Sequence, residues 1–130
     1  MARLLIIEDE ALVRDNLVRF LKLEGHTVVE AMHGEEGLAL ASQPGHGFDM
    51  ILCDVMMPRL DGFGVLAALQ QGNLLGNTPF VFLSASAEPE RLEEALKRGA
   101  SAYVTKPFHL QQLRNLMTQL LQNNKAEGQP

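Results

Sequence analysis

Cysteine is nearly absent from this chain: among 130 residues only Cys53 carries a thiol. One cysteine cannot close an internal disulfide, so a disulfide-stapled secreted fold is excluded and a reduced thiol in the cytoplasm is the expectation. Cys53 sits inside an apolar run, where packing is its natural role. Long hydrophobic stretches are missing as well. Nothing approaches the roughly 20 residues of a membrane-spanning helix, so no membrane association is expected. Leu4-Leu5-Ile6-Ile7 followed by Glu8-Asp9-Glu10 is too short and too acidic for the apolar part of a signal peptide. Positive charge is in deficit, 11 Lys and Arg against 16 Asp and Glu, for a net charge of -5. That balance leaves no footprint for direct nucleic-acid binding. The four histidines, His26, His33, His46 and His109, fall at turns and helix starts without metal-ligand spacing.

What is present is enough apolar residue for one core. Hydrophobic content is 46% with 21% charged, ordinary for a folded domain, and the length suits one domain better than two. Five short apolar runs start at Leu4, Thr27, Met50, Phe80 and Ala102. Met50-Ile51-Leu52-Cys53 has no polar alternation and reads as a strand buried on both faces. Thr27-Val28-Val29 is short and partly polar, as at a sheet edge. Between the strands the spacing predicts helices over about Glu10–Glu24, a short one up to Ser42, Gly62–Gln71, Pro89–Arg98 and His109–Gln122. Gly37 inside the second helix weakens that expectation by roughly 1 kcal/mol relative to Ala. In the last helix Leu110, Leu113, Met117, Leu120 and Leu121 are expected to face inward. Strand starts about 25 to 30 residues apart match one strand-helix unit each. The fold class is therefore α/β, a five-stranded parallel sheet with helices on both faces.

In open parallel sheets, ligands bind beyond the carboxyl ends of the strands. This sequence places Glu8 and Asp9 after the first strand, Asp54 at the end of the third, Ser84 after the fourth and Lys106 after the fifth. Singly, each has a bland role: helix entry, turn, or surface charge. Jointly they describe chemistry. Carboxylates about 4 Å apart repel by ~1 to ~4 kcal/mol per pair depending on screening. A hard divalent cation such as Mg²⁺ relieves this with oxygen ligands. Lys106 adds a point charge suited to a phosphoryl oxygen and Ser84 adds a hydroxyl, with Asp54 as the nucleophile.

Four segments carry a family resemblance: Leu5-Ile6-Ile7-Glu8-Asp9; Ile51-Leu52-Cys53-Asp54-Val55-Met56-Met57-Pro58 with Asp61-Gly62; Leu83-Ser84-Ala85; and Gly99 through Phe108 containing Tyr103-Val104-Thr105-Lys106-Pro107. In this order they resemble the receiver domain of two-component response regulators, the CheY-like fold, from Arg3 to about Gln122. The resemblance implies a doubly wound sheet of order 2-1-3-4-5. It also implies a phosphorelay protein rather than an enzyme, taking part in its own phosphorylation and slow dephosphorylation. Asp54 would accept a phosphoryl group from a sensor histidine kinase or a phosphotransfer protein. Asp9, Asp54 and the backbone carbonyl of Met56 would hold Mg²⁺, or Mn²⁺ in its place, with Glu8 acting through water. Lys106 would pair with the phosphate, and the bond to Pro107 would be cis. Pro58 and Gly62 complete the structural positions. Ser84 and Tyr103 would form a switch pair, Tyr103 swinging from an exposed to a buried position. The altered face would be helix four, strand five and helix five, roughly Glu90 to Arg114, where a partner or a second copy binds. Ser101-Ala102 stands where receivers of the OmpR-like DNA-binding class often carry paired aspartates, which argues against that output.

Three rival readings fit less well. A haloacid-dehalogenase-like phosphatase needs an acid two residues after its nucleophile, and here that residue is Met56. A flavodoxin-like FMN site needs a Ser-, Thr- and Gly-rich loop after the first strand, where Glu8-Asp9-Glu10 would repel phosphate. A degenerate receiver serving as a phosphate-independent interaction module would have lost site residues, and all are in place. Residues 1–122 are thus expected to form the domain. Residues 123–130, polar and aperiodic, are expected to be a disordered tail or linker stub toward an output domain beyond Pro130.

Overall fold

Strands and helices alternate through the whole of the computed structural model, which describes residues 1–127. They are β1 (Arg3–Ile7), α1 (Ala11–Leu23), β2 (Thr27–Ala31), α2 (Gly34–Ala41), β3 (Met50–Asp54), α3 (Gly62–Gln71), β4 (Phe80–Ser84), α4 (Pro89–Lys97), β5 (Ala102–Thr105) and α5 (Leu110–Glu127). All strand pairs are parallel, in the order β2-β1-β3-β4-β5. Parallel strands need a crossover between them, and each helix supplies one. The expected α/β architecture is the one observed.

The apolar runs make sense once both sheet faces are covered. Every residue of β3 and of β4 is buried. Alternate side chains enter opposite layers: Leu5, Ile7, Ile51, Cys53, Phe80 and Phe82 pack with Val65, Leu66 and Leu69 of α3. On the other face, Leu4, Ile6, Met50, Leu52, Val81 and Leu83 pack with Leu17 and Leu21 of α1 and Leu113 and Met117 of α5. Cys53 is buried and unpaired, its Sγ donating to the Asp54 carbonyl at 3.3 Å. The polar strand β2 lies at an edge, as its composition suggested, although it runs two residues further, to Ala31.

Three local expectations differ from the structure. The helix α2 passes through Gly37 intact. A Cβ there would lie 2.4 Å from Ile7 Cδ1, so the glycine lets α2 close against β1. Leu110 is exposed rather than inward, because α5 begins at it and its core stripe starts at Leu113. The same helix continues to Glu127, five residues past the expected end at Gln122. Residues 128–130 of the expected tail lie outside the described residues.

The β3–α3 connection sets the geometry of the strand ends. The chain leaves Asp54, buries Val55 and Met57, exposes Pro58 on a bend, and turns at Arg59 with φ 67°. The Asp61 side chain caps α3 by accepting from Gly64 N at 2.8 Å, and Gly62 N donates to the Val55 carbonyl at 2.9 Å. A Cβ on Gly62 would lie 2.4 Å from the Asp54 carbonyl oxygen and 3.0 Å from Val55 Cα. Both contacts are backbone and cannot yield by a rotamer change. Gly62→Ala is therefore expected to lower unfolding stability by about 1–3 kcal/mol. An unchanged denaturation midpoint would contradict this packing.

Candidate functional site

Register decides which strand-end residues meet. Ile7 pairs with Cys53 and Asp54 with Leu83, so the residue after β1, Glu8, comes level with Asp54. Ser84 pairs with Thr105, and Lys106 N then donates to the Ser84 carbonyl at 2.7 Å. Glu8, Asp54 and Ser84 are the buried polar residues at this end of the sheet. The cleft above them, ≈ 460 Å³, is lined by Glu10, Asp54, Met56, residues 85–88, Arg91 and Lys106.

Lys106 is the hub. Its Nζ lies 2.6 Å from Glu8 Oε1, 3.4 Å from Asp54 Oδ2 and 3.8 Å from Glu10 Oε1. The Lys106–Pro107 peptide bond is cis. Glu8 is fixed on two sides: its Oε2 accepts from Glu10 N at 3.2 Å, and its carbonyl accepts from the Arg14 guanidinium at 2.8 Å. Glu8 Oε1 is fully buried and accepts no hydrogen bond of proper angle among the described residues, its contact with Lys106 being an ion pair only. Asp54 Oδ1 accepts from Met56 N at 3.3 Å.

Ligand oxygens of Glu8, Glu10 and Asp54 all lie within 4.8 Å of one another. These are hard oxygen donors, which fit a cation such as Mg²⁺ rather than a thiolate- or imidazole-seeking metal. Asp9, expected as a ligand, is exposed and outside that trio, although it still acts on Asp54. Glu10 is the third member of the trio. It is the extended residue before α1, with φ -82° and ψ 112°. The run Glu8-Asp9-Glu10 carries three acids in a row, and the chain bends at Asp9.

Burial comes first in pushing the Asp54 carboxyl up from 3.8 to about 8, the nearby Glu8 carboxyl adds to it, Lys106 opposes it and Asp9 contributes. For Lys106, burial alone would lower the ammonium, but Glu8 and Asp54 outweigh it and hold its pKa raised. Burial likewise pushes the Cys53 thiol well up, which keeps it inert.

Ser84 and Tyr103 meet on a residue that the sequence reading passed over. Ser84 Oγ accepts from Ser86 N at 3.1 Å, and Tyr103 Oη donates to the Ser86 carbonyl at 2.8 Å. Ser86 thus joins the ends of β4 and β5 from both sides of its own backbone. A hydroxyl bonding the amide two residues on is a local turn pattern, legible in Ser84-Ala85-Ser86. Tyr103 is half-buried rather than exposed, against the core layer that contains Phe82.

A model of the response regulator receiver domain matches residues 4–118. This chain belongs to that family. The receiver is 38% identical over 112 residues to the transcriptional regulatory protein PdtaR of Mycobacterium tuberculosis, covering 85% of this chain and 52% of that protein. It is 32% identical over 127 residues to the cell cycle transcriptional regulator CtrA of Caulobacter vibrioides, covering 98% of this chain and 53% of the relative. The receiver thus spans about half the length of these curated relatives. Among solved structures it resembles the receiver domain of the Francisella response regulator 1452 (TM-score 0.86, 31% identity, 95% of this chain and 98% of that one). The Vibrio cholerae chemotaxis protein CheY4 is also similar (TM-score 0.83, 30% identity, 92% and 98%). Among the described residues of the receiver, no helix is long and apolar enough to cross a membrane.

The raised Asp54 carboxyl has a thermodynamic consequence. Between 3.8 and about 8 the folded chain binds this proton and the unfolded chain does not, so its contribution to stability falls as pH rises across that window. In a chelator, the receiver is expected to lose stability from about pH 5 to about pH 8, and Asp54→Asn to flatten that slope and raise the melting temperature most at the alkaline end. Parallel slopes for the two proteins would contradict the assignment.

Proposed function

We propose that this receiver accepts a phosphoryl group on Asp54, with Mg²⁺ held beside it, and passes the change to the face made by α4, β5 and α5. The observation that carries the reading is the convergence of Asp54 with Lys106, Glu8 and Glu10 at the carboxyl ends of adjacent strands. The donor is a phosphohistidine of a sensor kinase or of a phosphotransfer protein. An Asp54 carboxylate oxygen attacks phosphorus, the bond from phosphorus to the imidazole nitrogen breaks, and that nitrogen keeps the electron pair.

For this the Asp54 carboxyl must be ionised, and in the metal-free chain burial, with Glu8 beside it, pushes its pKa up to about 8. Asp9, Asp54 and the Met56 carbonyl hold the cation, with Glu8 and Glu10 behind it, and Mn²⁺ serves in place of Mg²⁺. When bound, the cation supplies positive charge that lowers the Asp54 pKa and offsets charge on the phosphoryl oxygens. Lys106, already 3.4 Å from Asp54 Oδ2, turns from Glu8 toward those oxygens. Ser84 donates its hydroxyl to the phosphoryl group, which loosens its bond to Ser86 N. Tyr103 follows because its hydroxyl holds the same residue. The shift works only through such differential contacts in the two states.

The partner is then a second receiver, in a homodimer through α4, β5 and α5, or an output domain. This chain spans about half the length of the two curated relatives described above, which supports an output domain beyond Pro130. The extension of α5 to Glu127 would carry the chain toward it. With one reduced cysteine and a kinase as donor, the cytoplasm is the compartment proposed.

Incubation with Mg²⁺ and acetyl phosphate is expected to add one phosphoryl group by mass, and Asp54→Asn to abolish the gain. Full uptake by Asp54→Asn would sink the assignment. Ser84→Ala should still take phosphate, but NMR shifts on adding beryllofluoride should no longer reach Tyr103 and the α4–β5–α5 face. Equal spread in both proteins would mean that the hydroxyl does not couple them.

A further inference from the structure

Two cations line the Asp54 cleft, and the account above uses only Lys106. The other, Arg91, stands in the first turn of α4 and is half-buried. Lys106 already has three carboxylates within 3.8 Å. Arg91 has no carboxylate within ion-pair distance among the described residues, whereas Arg98 of the same helix pairs with Glu94 at 2.7 Å. The guanidinium of Arg91 rests instead on Met56 Sδ at 3.5 Å, and a thioether is a weak acceptor. Met56 itself is 60% exposed, and its backbone amide bonds Asp54. Arg91 is thus a charged fork on a loosely held arm, two contacts from the reacting carboxylate.

The surroundings give that arm a task. Glu10 and Glu88 also line the opening, and the chain carries a net charge of -5. A small phosphodonor is an anion and meets repulsion on entry. A guanidinium offers paired N–H donors matched to phosphoryl oxygens, which an ammonium engaged elsewhere cannot supply.

We propose that Arg91 receives the anionic phosphodonor at the mouth of the cleft and orients its phosphoryl oxygens toward Asp54 and Lys106, favouring doubly charged acyl phosphates. This rests on the phosphoacceptor reading of Asp54. In the transfer itself the bond from Asp54 to phosphorus forms as the bond from phosphorus to the acyl oxygen breaks. That oxygen leaves with the electron pair as a carboxylate. Arg91 exchanges no proton and is a positioning residue.

The test measures initial phosphorylation rates by mass spectrometry with Mg²⁺, using acetyl phosphate (doubly charged) and phosphoramidate (singly charged) at low and high salt. Arg91→Ala is expected to lose about tenfold in rate constant with acetyl phosphate and clearly less with phosphoramidate. It should also lose part of the wild-type dependence on salt. Arg91→Lys should recover part of the rate, and Lys97→Ala, on the same helix outside the cleft, should match wild type. Because both donors are read on one protein, their ratio is unaffected by how much of a variant is folded. An acetyl phosphate rate within twofold of wild type, or the same loss with both donors, overturns the role of Arg91 alone. No uptake by wild type from either donor overturns the phosphoacceptor reading and this inference with it.

Discussion

Everything at the carboxyl end of this sheet depends on holding Glu8 and Asp54 together, out of water, against one ammonium. Carboxylates at such distances repel, and burial adds a desolvation cost to each charge. Lys106, 2.6 Å from Glu8 and 3.4 Å from Asp54, offsets part of it, and a proton retained on Asp54 to about pH 8 offsets the rest. Such an arrangement is poised. A cation entering there would favour loss of the proton and compete with Lys106 for the carboxylates. A site that stores unfavourable charge in its resting form is one that responds to a small ionic event.

The fold tolerates that stored charge because the groups are held by backbone rather than by one another. Parallel register sets Glu8 beside Asp54, and the Val55–Leu83 and Lys106–Ser84 backbone bonds carry the ladder past the strand ends. Gly62 lets α3 start against the Asp54 carbonyl. Both faces of the sheet are packed by buried apolar side chains, Phe82 in one layer and Leu83 in the other. Ser86, its amide bonded to Ser84 Oγ and its carbonyl to Tyr103 Oη, links the ends of β4 and β5.

Much of this was legible in the chain. Unbroken apolar runs such as Met50-Ile51-Leu52-Cys53 mark buried parallel strands. Their spacing implies crossover helices, and the charged residues closing them, Asp54 and Lys106, therefore point to one sheet edge. What stayed hidden depends on phase and approach, not on residue type. Asp9 and Glu10 are equally acidic, and residue type alone does not show that Glu10 joins Glu8 and Asp54 in one cluster. Gly37 looked like a defect in a helix until the nearness of Ile7 explained it. Leu110 reads as core by composition but sits where α5 begins, outside its buried stripe. The polar run after Gln122 carries no apolar period, yet the helix continues to Glu127. Arg91 stands in a helix of mixed charge, a pattern that does not by itself mark it as lining the cleft.

The central claim, that the Asp54 carboxyl is held protonated by its neighbours and released by a cation, has a direct measurement. Carboxyl carbon-13 NMR of the labelled protein would follow Asp54 through a pH titration, with and without Mg²⁺. The account predicts a midpoint near 8 in the metal-free protein, moving well below neutrality when Mg²⁺ is added. A midpoint in the ordinary carboxylate range without metal, or one that Mg²⁺ leaves unmoved, would contradict it.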